Sequence, residues 1–350
     1  MNDIDTDVAV VGAGIVGCLV ARELARRSPA VSVRVLERTI AGSGASRHSA
    51  GVHFPRGRTR RVREMSSYSQ SYYEALLAEQ PTLPIYPVRM SVHSSNADSQ
   101  HVRDSYLDRA HLVGVGRTPA GTTCVWHGAG SHYADVSMLV TALTRRLPES
   151  VRCYEGVGVT SVEQDDDGVT LGLSTGRALH AGAVVLAPGP WLRARAWAAL
   201  LAPFAARVKK VVALHIDRRP DSDDRLTVFE DDDSFLLPMA PSGRWLFSHT
   251  NQDWDVDPDE IRGGLSARDL ATARDCLAEH APAMVDRVAG GRVFCDAYSR
   301  AGEPIVSTVD GSRRVVFAGA ANGSGYRLAP AMAAQAVDLL TPVSGRRIIG

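Results

Sequence analysis

The sequence predicts an α/β fold that opens on a parallel, Rossmann-like unit, and three observations carry that reading. The first is the stretch "DVAVVGAGIVGCLVARELARR", where a β-branched run, Val8 to Val11, gives way to helical spacing through Ile15, Val16, Leu19, Val20 and Leu24. The second is a strand-like "SVRVLER" that ends in an acidic residue, Glu37, 20 residues after Gly17. The third is "RRVVFAGAANGSGYRLAPAMAAQAVDLL" near the C-terminus, where a strand (Val315 to Ala318), a glycine-rich turn and a helix from about Leu328 repeat the opening logic.

The first turn holds G-x-G-x-x-G as Gly12, Gly14 and Gly17. In such a turn the first glycine permits the tight bend, the second lets a pyrophosphate approach the backbone, and the third lets helix pack on strand. Free N–H groups at the helix N-terminus then face the phosphates. Glu37 stands where a carboxylate accepts from ribose hydroxyls, which disfavours the additional phosphate of NADP. A dinucleotide site is expected, with NAD and FAD both open at this point.

Between the two ends the pattern departs from simple alternation of strand and helix. Glu37 is followed by "GSGASRHSAGVHFP" (Gly42 to Pro55), a small-residue loop with no hydrophobic periodicity, and then by the amphipathic "VREMSSYSQSYYEALLAEQ". A helix is expected after Asp135, and "DDDG" (Asp165 to Gly168) marks a hairpin turn. "GAVVLAPGPW" runs from a buried strand into a turn at Gly189 and Pro190, and "SFLLPMAPSGRWLFSHT" reads as a hairpin around Ser242 and Gly243. The second glycine turn (Gly319, Gly323, Gly325) offers another helix N-terminus, suited to an electron-rich group such as a reduced isoalloxazine.

Composition narrows the function classes. The 350 residues are 45% hydrophobic and 22% charged, with 39 basic against 39 acidic side chains. A balanced charge gives no global attraction to nucleic acid or an anionic membrane. "RGRTRRVRE" gathers five arginines between Arg56 and Arg63 but interleaves no aromatic platform, so a solvated helix start or a positive funnel for an anionic substrate is expected there. The acidic start lacks a basic n-region, and "AWAALLAPFAARV" is too short to span a bilayer. Five scattered cysteines without CxxC spacing point to a reduced, cytoplasmic protein with no zinc site.

"VAVVGAGIVG", "GSGASRHSAGVHFP", "VVLAPGPW" and "GSGYRLAPAMA" occur in the order found in the D-amino-acid oxidase superfamily of FAD-dependent oxidoreductases, and the chain resembles its glycine oxidase and sarcosine oxidase branches. The resemblance implies a Rossmann-like FAD-binding domain with an inserted antiparallel-sheet α+β substrate domain. The expected division is 1–80, 132–200 and 297–350 for the discontinuous FAD-binding domain, and 81–131 with 201–296 for the substrate domain. It implies FAD, held non-covalently, as the cofactor, and a small amino acid or amine as the substrate, with oxygen or another electron acceptor completing the turnover. The implied reaction is oxidation of a C–N bond by hydride transfer to flavin N5, giving an imine that hydrolyses. The alternatives are an FAD-dependent 2-hydroxyacid dehydrogenase and a flavin-binding subunit without activity of its own.

The residues expected on the cofactor are Gly12, Gly14, Ile15, Val16, Gly17, Glu37, Arg38, Ser43, Ala45, Ser46, Ser49, Ala50, Gly51, Val52, Val159, Ala187, Gly189, Trp191, Gly323, Ser324, Gly325, Tyr326, Arg327 and Leu328. For the substrate the resemblance puts a carboxylate-binding arginine at Arg300, since a planar guanidinium fork matches a carboxylate. Arg327 is a second candidate for that task, or else a solvated residue on a first helical turn. Tyr298, two residues before Arg300, would share its face on a strand and either wall the substrate or belong to the core. Phe235 and Trp245, on the two arms of the hairpin, would close the pocket or simply pack. Trp245 also falls where the sarcosine oxidase branch carries an oxygen-activating lysine, while Cys295 lies one residue out of register from that branch's flavin-linking cysteine. His48 and His53 stand nearest the ring, beside the substrate or lining the flavin, and the hydroxyacid alternative needs one of them as a base.

Overall fold

A computed structural model describes residues 4–95, 99–118, 123–261 and 264–340. The remaining parts of the expected domain segments (1–3, 96–98, 119–122, 262–263 and 341–350) lie outside the described residues. The protein is built on two large sheets, one of eight and one of nine strands.

The first sheet collects β1 (Ile4–Val11), β2 (Val33–Glu37), β7 (Val151–Glu155), β8 (Val159–Gln164), β9 (Val169–Leu173), β10 (Ala178–Leu186), β16 (Ile305–Thr308) and β17 (Val315–Gly319). Its spine runs β16-β17-β10-β1-β2-β7, and β17, β10, β1, β2 and β7 are parallel to one another. Parallel central strands buried on both faces read as continuous apolar runs, as "VAVV" and "AVVL" do. The helices α1 (Ile15–Arg27), α5 (Val136–Thr144) and α8 (Gly325–Leu339) cover one face, where Leu19, Leu24, Leu139, Leu143, Ala333 and Val337 are fully or almost fully buried. Asp135 caps α5, its carboxylate accepting from the Met138 N–H at 2.9 Å. The "DDDG" hairpin forms between β8 and β9, with the Asp165 carboxylate accepting from the Asp167 and Gly168 N–H groups.

The second sheet holds β3 (Val52–His53), β4 (Ile85–Ser94), β5 (Val113–Arg117), β6 (Cys124–Ala134), β11 (Arg207–Ile216), β12 (Leu226–Phe229), β13 (Ser234–Met239), β14 (Arg244–Trp254) and β15 (Val288–Tyr298). It is ordered β15-β11-β14-β13-β12-β4-β6-β3 and is antiparallel except where β12 runs beside β4. β3 belongs to this sheet although its sequence neighbours serve the first, because the small-residue loop delivers the chain across to β6. The remaining helices are short α2 (Ala45–His48), α3 (Arg60–Glu79), α4 (Ser99–Ser105), α6 (Ala198–Leu201) and α7 (Ala267–His280). Among the described residues no helix is long and apolar enough to cross a membrane.

Three local departures from the sequence expectation matter. α8 begins at Gly325, a turn earlier than the apolar pattern, because Gly325 and Tyr326 carry no helical periodicity to announce it. Pro330 lies inside α8 and has no N–H for the Tyr326 carbonyl four residues back; the Tyr73 hydroxyl donates to that carbonyl instead, at 2.8 Å. Arg56 is no solvated residue at a helix start: it is 5% exposed, paired with Glu230 at 2.5 Å and Asp233 at 3.3 Å.

The glycine turn sets the spacing of the first sheet. A Cβ at Gly17 would stand 1.9 Å from the Gly12 carbonyl oxygen, so α1 reaches its depth only with glycine there. Gly17→Ala must part α1 from β1, at a cost of about 3 kcal/mol or more. The expected result is a thermal midpoint lowered on the order of 5 °C or more; a wild-type midpoint would show that the helix does not depend on this contact.

Candidate functional site

Two cavities meet inside the protein. The first runs from the end of β2 across the glycine turn to the N-terminus of α8, lined along its length by Glu37 and Arg38, Gly12 and Gly14, and Gly319, Gly325 and Tyr326. The second lies between the second sheet, the small-residue loop and α8, lined by Phe54, Arg56, Val211, Phe235, Tyr298 and Arg327 among others. Ser49, Asp296, Ala321, Gly323 and Tyr326 line both, so these five residues mark the junction.

The first cavity is made of exposed backbone. The N-cap residues, Gly14 of α1 and Ser324 of α8, make no side-chain capping hydrogen bond. Helix N-termini left in that condition attract anionic groups. Glu37 accepts from the Ala13 N–H at 3.0 Å and from the Thr39 N–H at 2.9 Å, which fixes its carboxylate at the mouth of the turn. Ser46 accepts from the Ile15 N–H at 3.0 Å and ties the small-residue loop to the start of α1. Trp191 donates to Asp259 at 3.0 Å and is covered by the Arg38 guanidinium, 4.2 Å from its ring. A long cleft with a carboxylate at one end, bare glycine backbone in the middle and a second helix N-terminus at the other fits an extended dinucleotide such as FAD.

Most of the residues expected on the cofactor do line a cavity. Gly12, Gly14, Ile15, Val16, Glu37, Arg38, Ala45, Ser46, Val159, Ala187, Gly189, Trp191 and Gly325 line the first. Ala50, Gly51, Val52, Ser324, Arg327 and Leu328 line the second, and Ser49, Gly323 and Tyr326 line both. Gly17 and Ser43 line neither. Gly17 lies beneath the turn against the Gly12 carbonyl, and the Ser43 hydroxyl is turned to Thr39 Oγ1 at 2.8 Å.

The turn that joins β17 to α8 is held open against local preference. Ala320 and Asn322, neither of them glycine, have φ of +49° and +53°. Asn322 is anchored to the end of β15: its N–H donates to the Ala297 carbonyl at 3.1 Å and its Oδ1 accepts from the Ser299 N–H at 3.1 Å. That tie fixes Gly323 and the start of α8 against Tyr298, so the floor of the junction moves with the second sheet.

Arg327 is one of three arginines lining the second cavity, with Arg56 and Arg58. Its Nη2 donates to Ser324 Oγ at 2.5 Å, and its Nε and Nη1 are out of solvent without a hydrogen-bond partner. The guanidinium lies 4.7 Å over the Phe54 ring. Burial, with the nearby Arg56, lowers its pKa to about 10, so it stays charged at neutral pH. Arg56 differs, because Glu230 and Asp233 compensate it and Tyr106 donates to Glu230 at 2.5 Å.

The other expected substrate residues separate by sheet face. Tyr298, the last residue of β15, lines the cavity, and Phe235 lines it from β13. Arg300 does not: it is exposed in the turn after β15, where strand alternation from Tyr298 no longer operates, and it lines neither cavity. Trp245 is also outside. On β14 it has the opposite parity to cavity-lining Ser248, and it packs with Val212, Leu214 and Phe247. His53 is fully buried and stacks on His132 at 4.7 Å; burial and its neighbours hold its pKa well below the usual histidine range. His48 stacks against Phe294 at 6.4 Å, and burial with the Arg292 and Arg47 charges lowers its pKa. Neither histidine lines a cavity, because the loop turns their rings toward β15 and β6. Cys295 faces the core, and Lys210 is engaged by Asp253 at 2.6 Å and Asp269 at 2.7 Å.

Sequence reasoning missed Asp296, Arg56, Phe54 and Asp233. The alternation of Phe294, Asp296 and Tyr298 on one face of β15 was the available signal for the first, since only that register sets Cys295 on the other face. Arg56 was legible only as part of the basic run read as a funnel for an anionic substrate, and nothing in the local pattern marks Phe54 or Asp233.

Comparison with known proteins agrees with this geometry. No curated protein matches the sequence significantly. The fold is similar to that of a glycine oxidase from Geobacillus kaustophilus, with 20% identity, 96% of this chain and 94% of that chain covered and a TM-score of 0.74. An L-alpha-glycerophosphate oxidase from Mycoplasma pneumoniae with FAD bound gives 15% identity over 97% of this chain and 95% of that one, at a TM-score of 0.81. An L-amino acid deaminase from Proteus vulgaris, lacking its specific insertion sequence, gives 16% identity over 99% and 91%, at a TM-score of 0.75. Residues 7–339 match the family described as DAO, FAD dependent oxidoreductase. The match covers nearly the whole chain: the protein belongs to the DAO family of FAD dependent oxidoreductases.

Proposed function

We propose that the protein oxidises the C–N bond of a carboxylate-bearing amino acid or related small amine, with the cofactor domain on the first sheet and the substrate domain on the second. The observation that carries this reading is Arg327, a charged guanidinium at the wall of the second cavity with two nitrogens unpartnered, beside the junction with the first. A buried, unpaired cation is costly, and a carboxylate that supplies two acceptor oxygens in its plane relieves that cost. FAD, when bound along the first cavity, supplies the capacity to accept the two electrons of the oxidation.

The chain's own residues bind and orient. Gly12, Gly14 and Ser46 hold the phosphate region, and the uncapped start of α8 faces the far end of the cleft. Arg327 fixes the carboxylate, so the neighbouring carbon is set toward the junction. Tyr298, Phe235 and Phe54 wall the cavity and exclude water from the reacting atoms. A 2-hydroxyacid has the same carboxylate but needs a base for its hydroxyl. The histidines that the alternative relies on, His48 and His53, lie outside the cavity.

The test is anaerobic bleaching of the flavin with a panel of amino acids, N-methyl amino acids and 2-hydroxyacids. Bleaching by amines alone supports the reading; bleaching by hydroxyacids alone overturns it. For the arginines, Arg327→Met removes a buried charge pair with the substrate worth roughly 2–5 kcal/mol. The expected loss in kcat/KM is therefore about 30-fold or more, with FAD retained. Arg300→Ala should leave kcat/KM within about twofold, as expected of an exposed side chain away from the cavity. A strong loss in Arg300→Ala with none in Arg327→Met would reverse the assignment.

A further inference from the structure

The charges of the second cavity pair off, with two exceptions. Arg56 is held by Glu230 and Asp233, and Arg58 stands 3.6 Å from Asp233. What remains is one cation, Arg327, with two nitrogens out of solvent and unpartnered, and one half-buried anion, Asp296, which makes no ion pair or side-chain hydrogen bond among the described residues. Asp296 lies at the junction, lining the first cavity as well as the second. Its cross-strand partner on β11 is Lys209, but that ammonium is drawn to the Trp254 ring at 4.7 Å and lies 5.7 Å from the Tyr298 ring.

A cavity with one uncompensated charge of each sign is complementary to a zwitterion. We propose that Asp296 is the residue that selects an amine: its carboxylate receives the substrate's ammonium or amine N–H groups at the junction while Arg327 holds the carboxylate. This rests on the reading of the substrate as a carboxylate-bearing amine and adds what distinguishes it from a hydroxyacid or a plain acid. A hydroxyl carries no charge for Asp296 to match, and a plain acid leaves the half-buried carboxylate without a counter-charge.

The pH dependence follows from the groups that face Asp296. On its own strand there is Tyr298; on β11, Lys209; on α8, Tyr326 and Arg327; across the cavity, Arg56, Arg58 and Asp233. Burial raises the Asp296 carboxyl to about 6 and holds the Tyr326 phenol well above its usual range. No histidine lines either cavity. Asp296 therefore carries its charge above about pH 6 and loses it below, and amine binding should weaken on the acid side of that point.

Matched triads test the proposal on the FAD-loaded protein: glycine, glycolate and acetate, and each enantiomer of alanine and lactate with propanoate. Binding is read anaerobically from perturbation of the flavin spectrum. Wild type should prefer the amine, and Asp296→Asn should weaken amine binding at pH 8 on the order of 10- to 100-fold. Acetate and propanoate should bind the variant as well as they bind wild type or better, with FAD content and thermal midpoint unchanged. Wild-type amine binding should fall below about pH 6, and that fall should vanish in the variant. A variant that keeps the preference for the amine overturns the role of Asp296 while the amine reading stands. Equal weakening of amine and plain acid also overturns it, by showing that Asp296 shapes the cavity and does not select. A wild type that prefers lactate and glycolate sinks the amine reading itself. Lys209→Met should keep the preference; its loss there would assign the selection to a Lys209–Asp296 pair and overturn the proposal.

Discussion

Two contacts between backbone atoms and missing side chains hold the whole arrangement. A Cβ at Gly12 would stand 2.4 Å from the Ala187 carbonyl oxygen, and a Cβ at Gly17 would stand 1.9 Å from the Gly12 carbonyl oxygen. β1, the turn, α1 and the end of β10 are therefore packed backbone to backbone, with no side chain between. This packing is what leaves the N-terminus of α1 open at the cleft and brings the Pro188–Trp191 segment over it. Glu37 then bonds back to Ala13, which keeps the second strand's carboxylate at the same turn. The close approach at these two glycines is what opens the cleft there.

The second sheet is coupled to this cleft through the small-residue loop, whose Ser49 carbonyl accepts from Arg292 at 3.0 Å, and through the turn before α8. Asn322 connects the turn before α8 to the end of β15, and Tyr73 substitutes for the N–H that Pro330 lacks. The start of α8 is thus fixed from two sides, by α3 and by the second sheet. Tyr326 and Arg327, consecutive in sequence, are aimed differently by it, Tyr326 lining both cavities and Arg327 only the second. The hydrogen bonds at Asn322 therefore tie the charged wall and the start of α8 to the end of β15.

The sequence carried the cofactor cleft better than the substrate cavity for a physical reason. The centre of the cleft is local: strand, glycine turn and helix lie within one continuous stretch, and their spacing in sequence is their spacing in space. The cavity is assembled from β11, β13, β14, β15, the loop before α3 and α8, and its composition depends on which face each strand residue takes. Side chains alternate along a strand, so an error of one residue exchanges the wall for the core. Cys295 and Asp296 illustrate this, the thiol in the core and the carboxylate in the wall. Trp245 and Ser248 do the same on β14. Arg300 fails for a related reason, since the strand ends at Tyr298 and the alternation that would have turned it inward ends there too. The buried histidines were legible only as members of a loop near the cofactor; their stacking on His132 and Phe294 comes from the second sheet and has no local signature.

The cost of the substrate wall explains the polar groups that surround it. A guanidinium cannot shed its proton to escape burial, so Arg56 needs Glu230 and Asp233, and Glu230 needs Tyr106. Arg327 receives less: one hydroxyl from Ser324 and the face of Phe54. Full compensation by a nearby carboxylate would stabilise the protein, but it would also occupy the plane that the proposed ligand carboxylate needs. Nearby Arg56 raises the cost further, since two guanidinium groups repel across a poorly hydrated gap. The incomplete pairing of Arg327 is thus stability given up at one position, which the proposed carboxylate ligand would recover on binding.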